Sequence, residues 1–165
     1  MVEISLQTAA DEAAIEMLMD GAFGAARHSR SVWMLRVLPP VADLSLVLRD
    51  GGAIMASLRF WEVQLGSQIV LLLGPLAVQP ELRGKGYGRK IVADGLARAR
   101  AINEWPLVLV SGEPEYYPKF GFEPALPYQL DWPGFIEPER LQILELQVGA
   151  LASLVPPLRV RAKVE

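Results

Sequence analysis

At 165 residues, 52% hydrophobic and 21% charged, the chain can bury a sizeable core, which excludes disordered and fibrous classes and fits one domain, 1–165. With no cysteine and a single histidine, disulfides, a cysteine nucleophile and multi-histidine metal centres are excluded, and no metal is expected. A net charge of −3 gives no nucleic-acid footprint, the longest apolar run (69–78) is too short to span a membrane, and the start carries no secretory signal, so neither nucleic acid nor membrane is expected as a partner and the cytoplasm is the expected compartment.

Residues 2–6 alternate apolar and polar side chains and predict a short strand. Thr8 with Asp11 three residues later is a weak form of the capping box. Ile15, Leu18, Met19, Ala22 and Phe23 recur at helical spacing, so an amphipathic helix is expected over 9–23. From 24 to 40 the pattern gives a loop and a second short helix around 32–37. Strands are expected over 44–49, 53–65 and 68–78, joined at Asp50-Gly51-Gly52 and Gly66-Ser67 into an antiparallel meander.

Ile91, Val92, Gly95, Leu96, Ala99 and Ile102 form one apolar helical stripe, and 106–110 reads as a buried strand. A helix linking two buried strands implies a right-handed crossover, so the strands flanking it should run parallel. Pro-rich loops follow Phe122, then a strand over 141–148. Arg159, Arg161 and Lys163 read as a solvated tail or the exposed face of a final strand. The fold class is α+β, a mixed, mostly antiparallel sheet with helices on both faces.

The richest segment runs from Val78 through Pro80 and Arg83-Gly84-Lys85-Gly86-Tyr87-Gly88-Arg89, where a buried strand ends and a helix begins. Glycines there let the backbone approach a ligand, and the first helical N–H groups lack internal partners and suit an anion. Arg83, Lys85 and Arg89 add positive charge. Two known phosphate motifs do not fit: Gly84-Lys85 is followed by Gly86 rather than Ser or Thr, and the glycines alternate singly where a dinucleotide fingerprint needs a wider gap.

Arg83-x-x-Gly86-x-Gly88 after Val78-x-Pro80 resembles the cofactor loop of the GNAT superfamily of acyl-CoA-dependent N-acetyltransferases. The resemblance implies that backbone amides of residues 83–88, with Tyr87 and Arg89 at the helix start, hold the pyrophosphate of coenzyme A.

Gly74-Pro75 inside a buried strand marks a bulge, since proline cannot donate to the ladder. Such a bulge would splay this strand from 107–110 and leave the backbone of Leu76, Ala77 and Val78 open. In proteins it resembles, that wedge takes the pantetheine arm, and the N–H groups near Leu76 face the thioester oxygen. Tyr117, Gly121 and Phe122 match the spacing of the segment after the second wedge strand. The segment more closely resembles that of a subgroup of predicted bacterial acetyltransferases with a Tyr-Tyr-x-Arg/Lys-Phe-Gly-Phe run. By that resemblance Tyr117 is the acid that protonates the departing thiolate. Tyr116 is expected in the core, because a helix turns adjacent residues about 100° apart.

The expected activity is direct acetyl transfer from acetyl-CoA, as co-substrate, to a primary amine of a small molecule or peptide. With no cysteine, no thioester on the enzyme intervenes. The rivals are a non-catalytic acyl-CoA-binding module and a structural protein without cofactor. Glu62, Glu113 and Glu115 are alternatives for the general base, with a water relay a fourth. Phe60 and Trp61 are expected in the core, and His28 with Arg27 and Arg30 on the surface. The acceptor, the acyl-chain preference and the choice of monomer or homodimer stay open.

Overall fold

In β2 (Leu46–Asp50), Leu46 and Leu48 face one side of the sheet and Val47 the other, and all three are fully buried. A strand apolar on both faces needs cover on both, and two helices supply it. A computed structural model describes residues 1–24 and 31–164 of the chain; His28, Arg27 and Arg30 lie outside the described residues. Helix α1 (Glu12–Phe23) packs Ile15, Leu18 and Met19 on the Val47 face, and α2 (Tyr87–Ile102) packs Ile91, Val92, Leu96 and Ala99 on the other.

The remaining strands are β1 (Val2–Leu6), β3 (Ala53–Leu65), β4 (Gln68–Val78), β5 (Leu107–Ser111), β6 (Glu123–Pro124), β7 (Leu130–Asp131), β8 (Leu141–Glu145) and β9 (Leu158–Ala162). The main path of the sheet runs β1-β2-β3-β4-β5-β8-β6, with β9 pairing the far end of β3 and also β7. Strands β1 to β4 form an antiparallel series, and β4 and β5, joined through α2, pair parallel as the crossover requires. On β9, Leu158 and Val160 are buried while Arg159 and Arg161 face solvent, as a final strand demands.

Close packing fixes α2 on the sheet. A Cβ at Gly95 would lie 2.8 Å from Phe60 Cε1 and 3.0 Å from Leu58 Cδ2, so a bare glycine lets the helix rest on β3. Phe60 and Trp61 are core residues, as expected. The short helix expected around 32–37 is a 3₁₀ helix over Ser31–Leu35, and the strand expected to reach 148 stops at Glu145, whose carboxylate accepts the Leu151 N–H at 2.9 Å.

The weak capping box forms and is strengthened from elsewhere. The Asp11 carboxylate accepts the Thr8 N–H at 2.9 Å, the Thr8 hydroxyl at 3.1 Å and Arg49 Nη2 on β2 at 2.7 Å. The Arg49 hydrogen bond, followed by that of the Thr8 N–H, holds the Asp11 carboxyl below the usual carboxylate range against the opposing effect of burial. A carboxyl depressed on folding stabilises the fold above its unfolded pKa of about 3.9, and that stabilisation is lost as pH falls through the lower folded value. Asp11→Asn is therefore expected to lower Tm at pH 7 by about 2–4 °C, the usual shift for a lost cap in a chain this long. Melting curves from pH 7 to pH 2.5 should show the gap between variant and parent closing below about pH 4.

Candidate active site

The site begins with a break in the ladder. Leu58 pairs with Leu76 and Phe60 with Leu73, so Gly74 and Pro75 together face Arg59 alone. This is a β-bulge, with Gly74 at φ +127°. Trp61 Nε1 on β3 donates to the Gly74 carbonyl at 2.6 Å and pins it from within the core. The parallel pairing of β4 with β5 ends at Leu73 opposite Val110, immediately before the bulge. Beyond that point β4 stays bonded to β3 only.

The open edge has a defined polarity. The Gln79 N–H donates to the Met55 carbonyl at 3.0 Å. Antiparallel alternation then turns the N–H and C=O groups of Leu76 and Val78 away from β3, into the gap left by β5. Ala77, between them, bonds toward β3 and buries its methyl beneath α1 with Ile15 and Met19. Of the three residues expected along the open edge, Leu76 and Val78 face the gap and Ala77 does not.

Past Val78 a 3₁₀ turn over Pro80–Leu82 leads into the glycine loop. Gly84 and Gly86 adopt φ +89° and +83°, a region costly to other residues, and Gly86 is the N-cap of α2. The first turn of α2 presents N–H groups without intrahelical acceptors. A Cβ at Gly88 would lie 2.9 Å from the Tyr116 hydroxyl and 3.4 Å from Val78 Cγ2, so the Tyr116 phenol stands against that first turn.

Tyr117 opens a 3₁₀ helix, Tyr117–Phe120, that Gly121 terminates at φ +101°. Its ring is buried, packed edge-on against Tyr116 (5.1 Å between centroids) and Phe122 (5.6 Å). A Cβ at Gly112 would overlap the Tyr117 ring, so the missing side chain at 112 makes the ring's seat. Burial pushes the Tyr117 phenol well above its ordinary pKa, with Tyr116 and Glu113 adding to the effect and Arg140 opposing it.

The bulge, the open edge, the glycine loop and both tyrosines line one cavity of about 800 Å³. Of the residues expected to bind cofactor, Leu76, Val78, Arg83, Gly84, Gly86, Tyr87, Gly88 and Arg89 line it; Ala77 and Lys85 do not. Tyr116 corrects the sequence reading. Preceding the 3₁₀ helix rather than lying inside an α-helix, it lines the cavity beside Tyr117, with Lys119 Nζ 4.6 Å from its ring centroid.

Among the base candidates the geometry separates three glutamates. Glu62 accepts Trp105 Nε1 at 2.8 Å and Lys163 Nζ at 2.9 Å, away from the cavity; these bonds outweigh burial and lower its pKa. Glu113 and Glu115 are both exposed, and of the two Glu113 lines the cavity. Sequence reasoning missed Arg36, Trp33 and Arg140, which also line it. The Arg36 guanidinium lies 4.8 Å from the ring centroid of its near neighbour Trp33 and 5.6 Å from that of Trp61 on β3, and no local pattern announces the second contact. Among the described residues, no three His, Asp or Glu side chains group as a metal site, and no helix is long and apolar enough to cross a membrane.

Residues 42–124, which carry the bulge, the loop and Tyr117, match the family model of the acetyltransferase (GNAT) domain. The chain belongs to that family. A GNAT relative, the uncharacterised N-acetyltransferase YhbS of Escherichia coli, is 30% identical over 138 residues, covering 79% of this chain and 80% of that one. The uncharacterised N-acetyltransferase YjhQ of Escherichia coli K12 is 34% identical over 86 residues; the match spans 50% of this chain and only 47% of YjhQ. The crystal structure of YhbS in complex with CoA superposes with a TM-score of 0.78 at 26% identity, over 98% of this chain and 89% of that one. A Brucella melitensis GNAT acetyltransferase in complex with acetyl-CoA shares the fold at a TM-score of 0.74 and 24% identity, over 99% and 96% of the two chains. The mixed sheet with helices on both faces is thus the GNAT fold.

Proposed function

We propose that this GNAT domain transfers acetyl from acetyl-CoA directly to a primary amine in a ternary complex, acting in the cytoplasm as one domain over 1–165. The observation that carries the reading is the convergence of an unpaired strand edge, an anion-binding helix start and a buried phenol on one cavity. Each part fits a different stretch of the substrate. Amides at 83–88, with Arg83 and Arg89, suit the pyrophosphate. The open N–H and C=O groups of Leu76 and Val78 pair with the amides of the pantetheine arm as an added strand would. CoA bound to YhbS and acetyl-CoA bound to the Brucella protein support the same assignment here.

The chemistry then falls to this chain's groups. Glu113, directly or through a water, accepts the proton that an ammonium must lose before its nitrogen attacks the thioester carbon. The Leu76 N–H meets the oxygen on which negative charge develops. As the new C–N bond forms and the C–S bond breaks, Tyr117 donates its proton to the leaving sulfur, and the second proton shed by the nitrogen returns through water to the Tyr117 phenolate. Burial suits it to this, because the phenol stays protonated throughout the neutral range.

Thiol release with acetyl-CoA and a panel of amines, with acetylated product identified by mass spectrometry, tests the reading. Turnover is expected with at least one amine, and EDTA should leave the rate unchanged. Loss of activity with EDTA, restored by a divalent ion, would show metal chemistry instead. CoA binding by calorimetry without thiol release from any amine would identify a non-catalytic acyl-CoA-binding module.

A further inference from the structure

We infer that the acceptor amine also carries a carboxylate, as an α-amino acid does, and that Arg140, together with Arg36, holds it; this rests on the acetyltransferase reading above. Among the described residues, the cations lining the cavity are Arg36, Arg83, Arg89, Lys119 and Arg140, and Glu113 is the lone acid. The phosphates of acetyl-CoA account for part of this excess. Arg83 and Arg89 flank the α2 start. Lys119 lies over the Tyr116 ring, whose hydroxyl stands against Gly88 in the same turn, so it belongs to that end as well.

Arg36 and Arg140 lie elsewhere. Arg36 Nη2 is 3.2 Å from where a Cβ on Gly74 would sit, so its guanidinium rests on the bulge where the wedge begins. Its stacking with Trp33 and Trp61 holds the guanidinium plane in place. Arg140 immediately precedes β8, its carbonyl accepts the Gly112 N–H at 2.9 Å, and its charge acts on the Tyr117 phenol. It is half-buried, and no carboxylate of a described residue lies within ion-pair distance of it.

Two guanidiniums and one carboxylate around the reacting end select for charge. A polyamine or a polycationic antibiotic would bring further positive charge beside Arg140, and among the described lining residues Glu113 is the acid that could offset it. A small amine bearing a carboxylate presents its ammonium to Glu113 and its two oxygens to a guanidinium fork, the geometry that binds carboxylates bidentately.

The test compares amino acids, their carboxamides and the matching decarboxylated amines as acceptors for the purified protein with acetyl-CoA, read by thiol release and product mass. At least one amino acid is expected to be acetylated with kcat/KM at least about tenfold above its carboxamide, the scale of a charged hydrogen bond. Arg140→Gln should raise KM for that amino acid by about tenfold or more, with KM for the carboxamide and Kd for CoA unchanged; Arg140→Lys should fall between. A change acting only through Tyr117 would instead move kcat with both acceptors alike, and that result overturns the inference. Equal or better acetylation of carboxamides or polyamines by the parent protein, which needs no variant to fold, overturns it too. Absence of thiol release from every amine overturns the acetyltransferase reading itself, a result distinct from acetylation that ignores the carboxylate.

Discussion

Tyr117→Phe is expected to lower kcat roughly 10²-fold, the lower end of what a general acid contributes, while Kd for CoA and Tm stay near the parent values. The substitution removes one oxygen and keeps the ring that fills the space over Gly112 and packs on Tyr116 and Phe122. A bare thiolate is poorly stabilised in an apolar wedge, and the phenol supplies the proton that offsets this. Because burial raises the Tyr117 pKa above the ordinary tyrosine value of about 10, kcat should show no loss of this acid as pH rises to about 9. Parent-like turnover by the Phe variant on a confirmed acceptor would make Tyr117 a packing residue and leave the acid to be found among its neighbours.

Gly86→Val should raise Kd for CoA at least about tenfold, or roughly 1.4 kcal/mol. Two effects combine. Gly86 sits at φ +83°, where a side chain costs about 1–2 kcal/mol, more for a β-branched one. Apart from its chain neighbours, no described residue comes within 4 Å of its Cβ position, so the added side chain projects into the open space proposed for the pyrophosphate. Calorimetry with CoA on a variant whose circular dichroism matches the parent measures the result, and Gly86→Ala should show a smaller rise. Unchanged affinity would remove the pyrophosphate from this loop.

The parts legible in the sequence are those whose periodicity is long. β3 and β4 fall on the residues expected for them because each is bounded by a glycine turn and has more than ten residues to show its pattern. The stripe of α2 is legible for the same reason. Two-residue strands such as β6 and β7 have no period to read, and the placing of β9 between β3 and β7 depends on contacts across the whole chain. The site divides likewise. Its backbone half, bulge and glycine loop, is written in glycine and proline at fixed offsets. Its side-chain half gathers Arg36, Glu113, Tyr116 and Arg140 from three separate segments, and only tertiary packing brings them together. Tyr116 departs from the core placement expected of it because it precedes the 3₁₀ helix as its N-cap, so the rotation between successive residues within a helix does not set its direction.

The interruption between β4 and β5 also bears on how the protein avoids its own kind. A strand edge with unpaired amides is a template on which any extended chain can add, and at a sheet's border it leads to aggregation. Here the exposed amides of Leu76 and Val78 lie in the interior of a nine-stranded sheet, with β3 on one side and the diverging β5 on the other. A β-strand from a second molecule would have to enter through the cavity mouth, past the glycine loop and the Tyr116–Tyr117 pair, with its side chains attached. A slender, flexible arm of amides meets no such obstacle. The same geometry that offers hydrogen bonds to one ligand thus withholds them from misfolded neighbours, and the sheet carries a reactive edge at little cost in solubility.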